Sequence, residues 1–154
     1  MAINGRKDRM REPYTVHTFG YASRTIDRLD SEVNRLSAVI VDVRIQPYDR
    51  IDHDFDRPAL QARYGSKYVW MREFGNKHSK TNGATDFVNL DLGARRLGAI
   101  VADGTSVIFL CSCKSHDGCH RAELANLFND QLGWKVSHLP QDDAVPLIES
   151  LFAE

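Results

Sequence analysis

The chain has 154 residues, enough for one core, since a chain of this size buries roughly 70% of its unfolded surface as a single domain. Apolar residues make up 42%, aromatics 9% and charged residues 27%, which excludes collagen-like, mucin-like and wholly disordered chains. Twenty Lys and Arg against 21 Asp and Glu leave a net charge of −1. That balance disfavours a broad basic surface for extended nucleic-acid binding and leaves room only for a local basic groove.

Residues 1–13 are polar and densely charged, and read as a flexible leader ahead of a domain over 14–154. They lack the apolar stretch of a signal peptide. The longest apolar runs, Ala38–Val41 and Val107–Cys111, are too short to span a bilayer. The expected setting is the cytoplasm, with no membrane contact. Tyr14–Phe19 has strand character, and Gly20-Tyr21-Ala22-Ser23 turns the chain. Thr25 is placed to cap a helix through Leu36, with Asp27 in its first turn and Ile26, Leu29, Val33 and Leu36 as the buried stripe. Ala38–Val41 predicts a strand buried on both faces, delivering Asp42 and Arg44 to its carboxyl end.

Residues 45–57 read as a polar loop, and Pro58 starts a short helix that Gly65 stops. Tyr68–Met71 predicts a third strand, with Asn76–Thr85 a surface loop after it. A helix of open start, weakened by Gly93 and Gly98, ends near Ala102–Gly104. Ser106–Cys111 gives the strongest buried-strand signal. The helix over 119–132 carries a stripe of Ala122, Ala125, Phe128 and Leu132, broadened by Leu124 and Leu127. Lys135–Leu139 predicts a last strand and Ala144–Phe152 a terminal helix. Trp70, Trp134 and His17 read as packing residues, and His138 as a satisfied core histidine.

Alternating strands and helices predict a single three-layer α/β domain with a mostly parallel sheet flanked by helices. Ligands gather beyond the carboxyl ends of such strands. Gly20, Tyr21, Asp42, Arg44 and the segment Cys111–Arg121 should therefore converge. All three cysteines fall between positions 111 and 119, a clustering that argues for thiol or metal chemistry over a disulfide framework. A helix start offers unpaired N–H groups to an anion and lowers the pKa of a nearby thiol. Arg121 and Lys114 add positive charge, and His120 is placed to move a proton. Two readings compete: a structural one, with Cys111 a small buried hydrophobe and His120 and Arg121 a capping pair, and zinc binding by Cys111, Cys113, His116, Cys119 and His120. Five ligands in ten residues do not match the paired spacing of structural zinc sites, so no metal or other cofactor is predicted.

Thr18-Phe19-Gly20-Tyr21, Val41-Asp42-Val43-Arg44, Tyr68, Phe74-Gly75, Leu110-Cys111, Cys119-His120-Arg121 and Val136 to Leu139 together resemble the family known as domain of unknown function 488. The resemblance runs over about residues 15–140. The Cys-His-Arg group after a Cys-ending strand is its most specific part, and the family usually has an acidic residue where Cys113 stands. That family has no settled activity, so the resemblance implies the fold and the place of the site. A second resemblance, in architecture alone, is to rhodanese-type domains, which share the Asp-x-Arg strand end and a cysteine between strand and helix.

The expected site is catalytic Cys111, Cys119, His120 and Asp42, with Arg44, Arg121, Tyr21, Gly20 and Lys114 binding ligand. The leading function is a small cysteine-dependent enzyme, of transferase or hydrolase type, on a phosphorylated or nucleotide-like anion. The alternatives are a non-catalytic nucleotide- or base-binding module and a zinc-stabilised interaction domain.

Overall fold

Among the described residues, Thr15–Gly20 forms the first of five strands, β1. The computed structural model describes residues 14–78, 84–113 and 115–140. The expected leader, the 144–152 helix and Lys114 lie outside them. After β1 come α1 (Ile26–Leu36), β2 (Val39–Asp42), α2 (Arg57–Tyr64) and β3 (Tyr68–Trp70). Then follow α3 (Leu90–Val101), β4 (Val107–Cys111), α4 (His120–Leu132) and β5 (Lys135–Leu139). The sheet runs β3-β2-β4-β1-β5, and every pairing in it is parallel. This is the three-layer α/β domain that the alternation predicts.

The helices divide between the two faces. Leu29 and Val33 of α1 and Leu60 of α2 pack on Phe19, Ile40, Ile108 and Leu110. Leu97 of α3 and Leu124, Ala125 and Phe128 of α4 pack on Val16, Val41, Phe109 and Cys111. Odd and even positions of β4 thus serve opposite layers, as the two-residue period of a strand requires. Local signals place the helix ends. The Thr25 side chain accepts from the Arg28 N–H at 3.2 Å, and Gly133 takes the left-handed φ of 74° that closes α4.

Some expectations change and others gain detail. Leu132 is not on the buried stripe of α4 but 59% exposed: it is the last residue of the helix, one turn beyond Phe128, the last α4 side chain in the core. The start of α3 is fixed by Asn89, whose side chain accepts from the Leu92 N–H at 3.2 Å. Gly93 admits the Phe74 ring, since a Cβ there would stand 2.5 Å from Cε1. Residues 45–57 are more than a polar loop: a 3-10 turn, His53–Phe55, inserts Phe55 into the core. Phe55 stacks on Tyr21 with centroids 4.2 Å apart.

Candidate functional site

The strand order puts the carboxyl ends of β2, β4 and β1 side by side, with Gly20 in register with Cys111 and Asp42 with Leu110. An open cleft of about 870 Å³ lies over these ends, bordered by Tyr21, Arg44, Cys111, Cys113, Cys119 and His120 among others. That volume suits a small-molecule site of roughly 300–1,000 Å³. The predicted residues do converge here, but from opposite faces of the sheet and in different roles.

On the α4 face, Cys111 ends β4 and Cys119 occupies the N-cap of α4. Both are 2% exposed, and their Sγ atoms are 2.9 Å apart. Arg121 Nη1 donates to each sulfur at 3.1 Å and to the Cys113 carbonyl at 3.3 Å. Two thiolates at this separation would repel strongly, so the pair keeps one proton. Hydrogen bonds from Cys111 and Cys113 hold Cys119 far below the ordinary thiol range. Burial pushes Cys111 well above it, and its bonds to Cys113 and Cys119 push the same way. The resting pair is therefore a Cys119 thiolate and a Cys111 thiol above a guanidinium. The three Sγ atoms of Cys111, Cys113 and Cys119 all lie within 4.8 Å of one another, close enough to share a metal ion.

His120 stands beside the thiolate, with Nε2 donating to the Val43 carbonyl at 2.8 Å. Burial works to lower its pKa, but the hydrogen bonds to Cys119 and Val43 more than offset this, and the net shift is upward. A protonated imidazole is thus favoured next to the sulfur.

On the other face, the Asp42 carboxylate grips Arg44 through Nε at 2.8 Å and Nη2 at 2.6 Å and accepts from the Tyr68 hydroxyl. Arg44 also donates to the Phe55 carbonyl at 2.7 Å and to Tyr21 Oη at 3.0 Å. Burial alone would depress the Arg44 pKa, and the Asp42 charge reverses that. Tyr21 Oη in turn donates to Asp49 at 2.8 Å.

Several roles shift as a result. Asp42, expected as a catalytic residue, is fully buried, does not border the cleft and bonds to Arg44. Arg44 reaches the cleft with most of its donors engaged. Arg121 is 1% exposed; it does not border this cleft but a second one with His116 and His138, and from there its Nη1 favours charge on sulfur. Gly20 serves a close approach of backbone: a Cβ there would stand 1.6 Å from the Cys113 carbonyl oxygen and 2.8 Å from Arg121 Nη1. Tyr21 is 3% exposed and packs on Phe55.

Beyond Arg121, His116 stacks on His138 with centroids 3.9 Å apart. Burial, then the charges of His116 and Arg121, push His138 down to about 4. His138 is neutral there and bonded to Thr18 Oγ1 at 2.7 Å.

The cleft also uses residues that sequence reasoning passed over. Tyr48, 60% exposed, and Arg50 border it from the loop after β2, and Glu123 borders it from α4. Glu123 accepts a hydrogen bond from Thr85 Oγ1. Its spacing of four from Cys119 places both on one side of the helix start, a signal present in the sequence.

Residues 22–96 match the family described as Domain of unknown function DUF488. The resemblance read from the sequence is upheld. The matched segment includes Asp42, Arg44, Tyr68 and Phe74-Gly75 and ends before β4. The cysteine cluster therefore stands on its own geometry. No curated protein and no solved structure matches the chain. Among the described residues, no helix is long and apolar enough to cross a membrane.

Proposed function

We propose that the protein is a cysteine-dependent enzyme acting on a small phosphorylated or nucleotide-like anion, with Cys119 as nucleophile. The observation that carries this reading is the Cys119 sulfur at a helix start, 2.9 Å from the Cys111 sulfur and 3.1 Å from a guanidinium nitrogen, with His120 next in the chain and an open cleft beside it. The Cys119 pKa is held far below the ordinary thiol range. The helix dipole and the first-turn N–H groups favour negative charge at the same point.

Cys119 attacks the electrophilic centre of the substrate and forms a bond through sulfur. The leaving group departs with a proton from His120, and water or an acceptor then releases the bound group. Tyr48 offers an aromatic face at the rim and Arg50 a cation, a combination that fits a base and a phosphate. Asp42 and Arg44 act as a buried brace that fixes the Tyr21 and Phe55 side of the cleft. A reducing cytoplasmic setting suits the free thiols.

The test is turnover and binding with a panel of nucleoside monophosphates, sugar phosphates and their esters. Cys119→Ser should lower turnover by roughly a thousandfold or more while leaving affinity within about threefold. Unchanged turnover in that variant would overturn the assignment. Binding without turnover of any compound, retained in Cys119→Ser, would favour a non-catalytic module instead.

The three-thiol spacing supports one other reading, a thiolate-bound zinc. Two sulfurs on a tetrahedral zinc with bonds of about 2.3 Å lie about 3.8 Å apart, wider than the 2.9 Å between Cys111 and Cys119. Elemental analysis of protein purified without chelator is expected to find less than about half an equivalent of zinc. A full equivalent, with loss of stability on chelation, would establish the metal reading.

A further inference from the structure

We propose that Cys111 and Cys119 form a dithiol–disulfide couple, oxidised by a small hydroperoxide that enters the cleft, which switches the Cys119 nucleophile off. The proposal shares with the proposed function the Cys119 thiolate, the His120 proton and the cleft, and needs no phosphorylated or nucleotide-like substrate.

Geometry is the first support. The 2.9 Å between the sulfurs lies well inside their van der Waals contact and short of the wider spacing on a metal. A disulfide needs about 2.05 Å, so closure requires one sulfur to advance by less than an ångström. Cys111 is pinned by β4, whose end pairs with Gly20. Cys119 sits where the exposed loop meets α4, so it is the partner able to advance. Access is the second support. Both cysteines border the cleft yet are 2% exposed, which admits a small peroxide and excludes a folded protein disulfide.

The chemistry closes without another reactant. The Cys119 thiolate attacks one peroxide oxygen, the O–O bond breaks, and the leaving alkoxide or hydroxide takes a proton from His120. Cys119 is then a sulfenic acid. The Cys111 thiol passes its proton to His120 and its sulfur attacks Cys119. The S–S bond forms, and the departing hydroxide leaves as water with that proton. The two sulfurs lose two electrons in all, and the peroxide gains them.

Arg121 decides how easily the couple reverses. In the reduced pair its Nη1 bonds to both sulfurs. Its buried Nε has no hydrogen-bond partner among the described residues. Oxidation removes the thiolate charge and leaves a buried guanidinium with the Cys113 carbonyl as its remaining Nη1 acceptor. A state that strands a buried charge is penalised, so the disulfide is a labile one that a dithiol reductant opens readily.

The experiment uses the full chain, reduced and then freed of reductant, treated with one equivalent of hydrogen peroxide and quenched with a maleimide. Non-reducing peptide mapping should find residues 111 and 119 crosslinked in most molecules, in wild type and in Cys113→Ser alike, with dithiothreitol restoring both thiols. Cys111→Ser should stop at a sulfenic acid on Cys119, trapped by dimedone. A crosslink through Cys113, direct passage of Cys119 to sulfinic acid, or two thiols that stay alkylatable would each overturn the couple. Rapid alkylation of Cys119 at about pH 5 with no crosslink would sink the couple and leave the proposed function standing. A Cys119 that alkylates like an ordinary thiol would sink both.

Discussion

Replacing Asp42 with alanine is expected to destabilise the fold by about 3–5 kcal/mol, because it strands the Arg44 charge in the core. Arg44 is 6% exposed, and its Nε and Nη2 both point at that carboxylate. Tyr68 loses its acceptor in the same step. For a chain of this size the loss corresponds to a fall in Tm on the order of 10 °C. The paired change Asp42→Leu with Arg44→Met should cost less than Asp42→Ala alone, since it removes both charges and fills the space with apolar volume. Urea unfolding of the three proteins at one pH checks this through the shift in midpoint. A single variant within about 1 kcal/mol of wild type would show that Arg44 finds another counter-charge, and the brace role of Asp42 would fall.

That brace also shows where the sequence stops being informative. The α1 stripe, the buried run of β4 and the stop at Gly133 are local patterns, and each reappears in the structure because period and capping alone determine it. The convergence of Asp42, Arg44, Cys111 and Cys119 followed from parallel strands ending on one edge. Their separation into two clusters did not. It depends on strand order and register, which put Asp42 level with Leu110 and Cys111 one residue further along, on the opposite face. Side-chain direction alternates along a strand, so a one-residue offset is enough to exchange layers.

Arg121, expected from the sequence to hold an anion, donates to the Cys111 and Cys119 sulfurs, because the first turn of α4 carries its side chain beneath them and not into the cleft. Phe55 was hidden for another reason: a lone aromatic among Asp residues carries no periodic signal, yet its carbonyl and ring complete the Arg44 cluster.

The thiolate itself has the largest measurable consequence. Alkylation by iodoacetamide proceeds through the thiolate, so its rate follows the ionised fraction. An ordinary thiol with a pKa of about 8.5 slows roughly tenfold for each pH unit below that value, about a thousandfold between pH 8 and 5. The bond from Cys111 holds Cys119 far below that range, so its rate should change by less than about threefold over the same interval. Burial scales the absolute rate and leaves the shape of the profile intact. Cys111→Ala removes the principal donor and should restore a falling rate as pH drops, with Cys119 followed by peptide mapping.

Stability carries the same signature with its sign fixed. Cys119, depressed on folding, contributes stability that is complete above the unfolded thiol value near about 8.5 and is lost as pH falls. Cys111, raised by burial, contributes stability that is complete below that value and is lost as pH rises. The two slopes meet near the unfolded pKa, so the folded state should be most stable there with respect to this pair. Cys119→Ser should flatten the acid limb and Cys111→Ser the alkaline limb in thermal melts across pH. A thousandfold decline in wild-type alkylation, matching a free thiol, would place both protons on sulfur and remove the nucleophile on which the catalytic reading stands.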